Sequence, residues 1–297
     1  MSFTVQKNVK IGIIGGDTRQ AVLARRLSKL GFETAVWGLN SNADIGDAVR
    51  SSDWYGAVNN SRIVILPVPS SRDGVRVSGC ELFVADMFSA MQAESVVFCA
   101  IADSNIKTIA KEHNIVLRDY FDNEVFQINN AIPTAEGAVE IAMHEMSITL
   151  HGAHALVCGY GRIGKALASI LKGLGTHVTV SARRSEDIAY ITASGYDAVR
   201  YDGAELGKKM CSFDVVFNTV PAKLIDKSLI NRIDKRCLLI DLASGAGGVD
   251  FNAAESCGIK AIHALSLPGK VAPETAGNII CDTILDMLFG EGGIAKT

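Results

Sequence analysis

Apolar and polar positions follow the same order twice along the chain. From Lys10 to Trp37, an apolar strand pattern leads into glycines, then a stretch with apolar residues three and four apart, a further glycine and a second apolar strand. The segment from Ala155 to Ser181 repeats this order, with Gly15 falling on Gly159. This periodicity predicts a strand, a helix and a second strand, used twice.

Each copy is followed by more apolar strand patterns. Two of them end in Val-Pro, over residues 62–70 and 214–222. Shorter ones are predicted at 95–100, 114–117, 237–242 and 259–263. Strands that alternate with helical stretches predict doubly wound parallel sheets. We therefore expect an α/β fold with two Rossmann-like domains and an interdomain cleft.

The length of 297 residues also favours two domains. We predict an N-terminal substrate or catalytic domain over residues 1–132, to which a C-terminal helix at about 275–297 returns. A connecting helix is predicted over 133–152 because Pro133 suits the first turn of a helix and Gly152 its end. Residues 153–274 would form the dinucleotide-binding domain.

Composition excludes several classes of function. The net charge of -3 gives no basic stripe for nucleic acid or an anionic membrane. No apolar run approaches the roughly 18 residues of a membrane span, and the N-terminal apolar run meets glycines at once, so we expect a cytoplasmic protein. The cysteines are widely spaced, and no metal site is predicted.

The second copy carries the pattern GYGRIG, from Gly159 to Gly164, between an apolar strand and a helix. In dinucleotide-binding folds the three glycines permit the tight turn, the approach of the pyrophosphate and close packing of helix on strand. The phosphates lie at the helix N-terminus. A glycine turn without a ligand is the alternative. The pattern predicts that the cofactor contacts Gly159, Tyr160, Gly161, Arg162, Ile163 and Gly164.

The end of the next strand reads Ser181, Ala182, Arg183, Arg184. An NAD site usually has an acidic residue there, whereas two arginines suit a 2′-phosphate. We predict NADP(H) in preference to NAD(H), a solvated basic turn being the alternative. Ends of neighbouring strands are also predicted to face the cofactor, through Thr219, Val220, Pro221, Leu242 and Ala243.

In the first copy, Asp17 and Gln20 replace the later glycines of the pattern. Because a carboxylate repels a pyrophosphate, we expect that this half has lost dinucleotide binding. Arg19 in the same turn is a candidate clamp for a substrate carboxylate. A capping role for these polar residues is the alternative.

Further substrate candidates are Asn130, Thr134 and Glu136 at the connecting helix, Ser244 after a strand, and Lys270 in LPGKVAPETAG, predicted to be a rigid loop. Glu136 is the candidate base, and Lys270 a second carboxylate clamp. Alternatively, Thr134 and Glu136 cap the helix and Lys270 is solvated.

Several unusual strings extend over most of the chain: GGDTRQ, LPVP, NAIPTAEGA, HG before GYGRIG, NTVP, DLAS with GAGG, and LPGKVAPETAG. Together they resemble the family of dipicolinate synthase A subunits from spore-forming bacteria. The resemblance implies NADP-dependent oxidation of dihydrodipicolinate to dipicolinate, a small dicarboxylate, in the mother cell during sporulation. It also implies that the partner is a flavoprotein-like B subunit. We further expect a homo-oligomer.

Two alternatives remain open. D-2-hydroxyacid and alanine dehydrogenases share the two-lobe plan, but the Arg that the hydroxyacid enzymes carry after the strand corresponding to DLAS is absent from SGAGG. A non-catalytic NADP-binding subunit that regulates a flavoprotein is the alternative from another class.

Overall fold

A computed structural model describes residues 9–201 and 204–290. The chain divides into two compact units: Met1–Asn129 with Ala272–Thr297, and Asn130–Val271. The last seven positions of the helix predicted over 275–297 lie outside the described residues.

The first unit is a parallel six-stranded sheet in the order β3-β2-β1-β4-β5-β6 with helices between the strands. Its elements are β1 (Ile11–Ile14), α1 (Thr18–Lys29), β2 (Thr34–Trp37), β3 (Val49–Arg50), α2 (Trp54–Val58), β4 (Ile63–Ile65), α3 (Val84–Ser89), β5 (Val96–Cys99), α4 (Ser104–Glu112) and β6 (Val116–Asp119). A short 3-10 helix (Tyr120–Asp122) follows.

The second unit repeats the arrangement, in the order β12-β11-β10-β7-β8-β9. It begins within α5 (Glu124–Glu145). Its further elements are β7 (His154–Cys158), α6 (Arg162–Gly173), β8 (His177–Ala182), α7 (Ser185–Ala193), β9 (Asp197–Arg200), α8 (Ala204–Lys209), a 3-10 helix (Met210–Ser212), β10 (Val215–Asn218), α9 (Lys227–Ile230), β11 (Leu238–Asp241), α10 (Phe251–Ser256), β12 (Ala261–His263) and α11 (Leu267–Val271).

Both sheets therefore have the strand order of dinucleotide-binding folds, with a switch point beside the first strand of each unit. Their central strands are buried on both faces, as expected when helices cover a parallel sheet. The predicted strands are found close to their expected positions. Two edge strands, β3 and β9, were not predicted.

The helix predicted over 133–152 is wrong at both ends. The observed helix, α5, begins at Glu124, contains Pro133 in its interior and ends at Glu145. The proline suggested a start because it suits a first helical turn, but buried Ala131, Ala135 and Ala138 continue the helix through it.

The rigid loop predicted over LPGKVAPETAG is also wrong. It forms two helices, α11 and then α12 (Pro273–Phe289), which starts with a proline in its first turn. Helix α12 packs on α1 in the first unit, with ion pairs from Arg25 to Glu274 and from Arg26 to Asp282. Among the described residues, no helix is long and apolar enough to cross a membrane.

Candidate functional site

The turn between β7 and α6 needs glycine at two positions for packing reasons. Gly159 has a φ of +98°, and a Cβ on it would lie 2.4 Å from Thr219 Oγ1. A Cβ on Gly164 would lie 2.1 Å from the carbonyl oxygen of Gly159. Helix and strand thus approach more closely here than any larger residue allows.

The third glycine, Gly161, is different because it faces open space. It is the N-cap of α6, and a Cβ there would meet no atom within 4 Å. No side chain of the described chain caps this end of the helix. The first backbone N–H groups and the positive end of the helix dipole are therefore suited to an anion such as a pyrophosphate.

The neighbours of this turn are partly ordered by their own contacts. The Tyr160 hydroxyl lies 3.3 Å from Ser194 Oγ, and the Lys165 ammonium lies 5.3 Å from the centre of the Tyr160 ring. Arg162 and Ile163 form the first turn of α6. This end of the helix thus combines an open backbone with polar and aromatic side chains.

Two arginines follow β8, and only one of them has a carboxylate partner. Ser181 and Ala182 are buried at the end of the strand, whereas Arg183 and Arg184 are exposed. Arg184 pairs with Asp187, and the resulting hydrogen bonds lower the pKa of Asp187. In residues 9–201 and 204–290, Arg183 has neither a hydrogen bond nor an ion pair. Positions 181–184 hold no carboxylate.

The corresponding turn of the first unit is closed by its own side chains. Asp17 caps α1 by accepting from Arg19 N at 3.0 Å, and Gln20 Oε1 accepts from Asp17 N at 3.1 Å. Burial would raise the pKa of Asp17, but the hydrogen bonds and charge of Arg19 outweigh this and lower it. The N-terminus of α1 therefore holds an internal carboxylate, as the capping interpretation predicted.

Arg19 is engaged rather than open. Its guanidinium donates to Asp17 Oδ2 at 2.8 Å and to the Val68 carbonyl oxygen at 2.9 Å, and the residue is only 6% exposed. Arg19 lies in the first unit, whereas the other candidate residues all lie in the second.

The loops after β10 and β11 lie at the carboxyl ends of adjacent strands. Thr219 Oγ1 donates to the carbonyl oxygen of Cys158 at 2.8 Å, which ties the loop after β10 to β7. Val220 is half-buried, and Pro221 is exposed. In the second loop Leu242 and Ala243 are buried, and Ser244 is exposed.

Two polar residues that hold these loops are not among the predicted site residues. Asn218 and Asp241 are both fully buried, and Asn218 Nδ2 donates to Asp241 Oδ1 at 2.8 Å. The signal was a polar residue at the end of each apolar run, in VVFN and LLID.

The candidates on α5 lie in the interior of the helix, so the alternative that Thr134 and Glu136 cap its start is wrong. Thr134 Oγ1 donates to the Asn130 carbonyl oxygen at 2.8 Å, which is a bond within the helix. A Cβ on Gly137 would lie 3.1 Å from Leu267 Cβ, so α5 and α11 are in close contact. Glu136 and Lys270 are not buried, and they lie on these two packed helices.

Within the part of the chain that the structure describes, no three His, Cys, Asp or Glu side chains are grouped so that they could hold a metal ion. The site consists of backbone N–H groups, arginines and the loops at the strand ends.

Residues 124–253 match the family model of the D-isomer specific 2-hydroxyacid dehydrogenase, NAD binding domain. Together with the two parallel six-stranded sheets, this match defines an oxidoreductase of the two-domain dehydrogenase class that binds a nicotinamide dinucleotide. Residues 10–121 match the family model of the N-terminal domain of the dipicolinate synthase A subunit. The chain belongs to the family of dipicolinate synthase A subunits.

Membership in this family rests on similarity over nearly the whole chain. The chain is 32% identical over 286 residues to the dipicolinate synthase A subunit of Bacillus subtilis (strain 168), covering 94% of this chain and 96% of that protein. The crystal structure of the dipicolinate synthase A subunit from Bacillus halodurans superposes with a TM-score of 0.86 at 30% identity, over 97% of this chain and 99% of that one.

More distant structures share the fold alone. A transhydrogenase from Sinorhizobium meliloti superposes with a TM-score of 0.71 at 15% identity, over 94% of this chain and 93% of that one. The family resemblance and the fold class predicted from the sequence are both confirmed.

Proposed function

We propose that the chain oxidises dihydrodipicolinate to dipicolinate with NADP+ as the acceptor. Its relatives in two Bacillus species are A subunits of dipicolinate synthase. The observation that favours NADP+ is Arg183, an exposed arginine without an ion pair among the described residues, at a strand end without a carboxylate. A guanidinium in this position attracts a 2′-phosphate, and positions 181–184 hold no acidic side chain that would repel it.

In this proposal the cofactor extends across the carboxyl edge of the second sheet. The residues from Gly159 to Gly164 would hold the pyrophosphate, and those from Ser181 to Arg184 the phosphorylated ribose. The loops of Thr219, Val220 and Pro221 and of Leu242 and Ala243 would contact the nicotinamide. When bound, NADP+ supplies the hydride acceptor.

The chain itself orients the substrate and removes a proton. Loss of a hydride and a proton turns the dihydropyridine ring into an aromatic pyridine, so orientation is the main requirement. Lys270 and Arg19 are the proposed carboxylate ligands, and Glu136 the proposed base. Asn130, Thr134 and Ser244 are further substrate contacts in this proposal.

The proposal extends to partners. Because the relatives are each one component of a synthase, we propose that a B subunit works with this chain, during sporulation and in the mother cell. We also propose a homo-oligomer, which sedimentation equilibrium of the purified chain tests directly.

Calorimetric titration tests the proposed function. The purified chain is titrated with NADP+ and with NAD+, each with and without dipicolinate. We expect tighter binding of NADP+ than of NAD+, and a further gain when dipicolinate is present. Tighter binding of NAD+ than of NADP+ would reject the proposed contact between Arg183 and the 2′-phosphate. An affinity for the dinucleotide that does not change when dipicolinate is present would reject dihydrodipicolinate as the substrate.

Turnover separates the proposal from a regulatory role. Dihydrodipicolinate oxidation by the chain alone, followed as NADPH formation, would exclude a non-catalytic role. Oxidation of a 2-hydroxyacid instead would favour the hydroxyacid dehydrogenase alternative.

A further inference from the structure

A polar row crosses the carboxyl edge of the second sheet. Asn218, Asp241 and His263 end three neighbouring strands and are paired in register, Asn218 with Asp241 and Asp241 with His263. Residues in register on parallel strands point to the same face of the sheet. On this face the row follows apolar residues of the core, such as Val216 and Leu239, so its polarity begins only at the edge.

Asp241 is the centre of this row. Besides Asn218 Nδ2, its carboxylate accepts hydrogen bonds from the backbone N–H groups of Ala243 at 3.0 Å, Gly248 at 2.7 Å and Val249 at 3.2 Å. His263 Nε2 lies 3.0 Å from the Ala243 carbonyl oxygen. A fully buried carboxylate is tolerated only when its oxygens are satisfied in this way.

The loops are packed directly on this pair. A Cβ on Gly247 would lie 2.3 Å from Asp241 Oδ2, and a Cβ on Gly248 would lie 2.4 Å from Asn218 Nδ2. The same Cβ on Gly248 would lie 2.5 Å from the Val220 carbonyl oxygen. The glycines of SGAGG therefore bring the loop after β11 against both the polar pair and the loop after β10.

The first sheet shows that the fold does not need the central pair of this row. By strand order β4 corresponds to β10 and β5 to β11. The registers of the two sheets then place Leu66, one residue past β4, at the position of Asn218, and Cys99 at the position of Asp241. Both are fully buried hydrophobic residues. The buried polar pair is thus present in the unit with the open glycine turn and replaced by apolar residues in the unit whose turn is closed.

We propose that Asn218, Asp241 and His263 are positioning residues that hold the loops after β10 and β11 in the conformation that receives the nicotinamide half of the cofactor. This inference rests on the proposed function. In folds of this strand order each half of the dinucleotide lies over one half of the sheet. The strands β7, β8 and β9 carry the pyrophosphate turn and the arginines, which leaves β10, β11 and β12 for the nicotinamide.

Comparison of NADP+ with 2′-phospho-ADP-ribose, which lacks the nicotinamide, tests the inference. In Asp241→Asn an amide replaces one carboxylate oxygen, so an N–H group faces backbone donors that now lack an acceptor. We expect the affinity for NADP+ to fall at least about tenfold, since a buried bond to a charged group is lost. The affinity for 2′-phospho-ADP-ribose should stay within about twofold, because its contacts lie at the other strands.

The matched control is Asp119→Asn in the first unit. Asp119 is also a carboxylate at the end of a strand that accepts backbone N–H bonds, from Ala102 at 3.0 Å and Phe121 at 2.9 Å. It should change the affinity for neither ligand. Asn218→Ala, which removes a single donor to Asp241, gives the same comparison if Asp241→Asn does not fold.

The outcomes separate this inference from the proposed function. An equal loss for both ligands would mean that the row serves stability alone, and no loss for either would mean that it does not position the loops. If the wild-type chain prefers NAD+, the same comparison is made with NAD+ and ADP-ribose. Binding of neither dinucleotide by the wild-type chain would reject the proposed function itself and this inference with it.

Discussion

Arg184 donates two hydrogen bonds of 2.9 Å to the carboxylate of Asp187, in the first turn of α7. The pairing occupies one of the two guanidinium groups that follow β8. Arg183 has no such partner in the described ranges, so the two adjacent arginines differ in what they can offer to a ligand.

Arg183→Ala should weaken binding of NADP+ by about tenfold to a hundredfold, the value of a charge-assisted bond to phosphate, and leave NAD+ binding unchanged. Arg184→Ala should have a smaller effect because Asp187 already holds its side chain. Calorimetry on both variants measures this. Arg236→Ala, which removes an exposed arginine paired with Asp234, is the control. An equal loss for both dinucleotides would show that Arg183 does not contact the 2′-phosphate.

Substitutions at two glycines of the turn between β7 and α6 should distinguish an effect on the stability of the fold from an effect on dinucleotide binding. In Gly164→Ala the new methyl group meets the Gly159 carbonyl oxygen, and overpacking of this kind costs about 1–3 kcal/mol. Gly161→Ala meets no atom of the protein and should lower the thermal midpoint less than Gly164→Ala does, only by the replacement of a favourable N-cap residue, yet it should weaken dinucleotide binding by blocking the approach of the pyrophosphate. Thermal unfolding and calorimetry of both variants check this. Unchanged affinity in Gly161→Ala would exclude the turn as the phosphate site.

Asp17 should contribute to stability in a pH-dependent way. Its pKa in the folded chain is lowered from 3.8, so its contribution is complete above the unfolded pKa and is lost as the pH falls below about 4 through the folded value. Asp17→Asn keeps a good N-cap residue but removes this dependence. Urea unfolding at pH 6 and near pH 3 should therefore show a smaller loss of stability in the variant. An identical loss would show that the Asp17–Arg19 pair adds nothing.

Each of the two proposed carboxylate clamps can be tested by its effect on dipicolinate binding. Lys270→Ala should weaken dipicolinate binding to the NADP+ complex about tenfold, as expected for one charge-assisted contact, without a change in NADP+ affinity. Lys260→Ala is the matched control, because Lys260 is paired with Glu145 at the amino edge of the sheet. Arg19→Ala tests the second clamp, and unchanged dipicolinate affinity in that variant would remove Arg19 from the site.

Periodicity was sufficient for the central strands, but it missed two of the edge strands, β3 and β9, and the ends of the helix α5. The segment IGII and its later copy are apolar on both faces, as is typical of a buried parallel strand. The strand Val49–Arg50 has two exposed residues, so no apolar signal marks it. Pro133 predicts a helix start because propensity is local, whereas buried residues on both sides of it continue α5. Pro268 and Pro273 lie in the first turns of α11 and α12, so the prolines of LPGKVAPETAG mark helix starts within a segment expected to be a loop.

Part of the candidate site could be predicted from the sequence because the residues of each of its motifs lie next to one another in the chain. GYGRIG and SARR are contiguous, and so is the Asp17–Gln20 capping box. The contact between Asn218 and Asp241 joins residues on different strands, and only the sheet register brings them together. The hydrogen bond from Arg19 to the Val68 carbonyl oxygen could not be predicted either, because the two residues are far apart in the sequence and only the fold brings them together.

The internal carboxylate at α1 has a thermodynamic consequence for the whole chain. The carboxylate of Asp17 already occupies the N-terminus of α1, so an added dinucleotide should not stabilise the first unit by binding at that helix end. The open end of α6 binds from solution, and saturation at a hundred times Kd adds about 2.7 kcal/mol to the unit that binds. Of the two corresponding helix N-termini, the one at α6 would then stabilise the chain more as the cofactor supply rises, whereas the one at α1 would contribute the same at any supply.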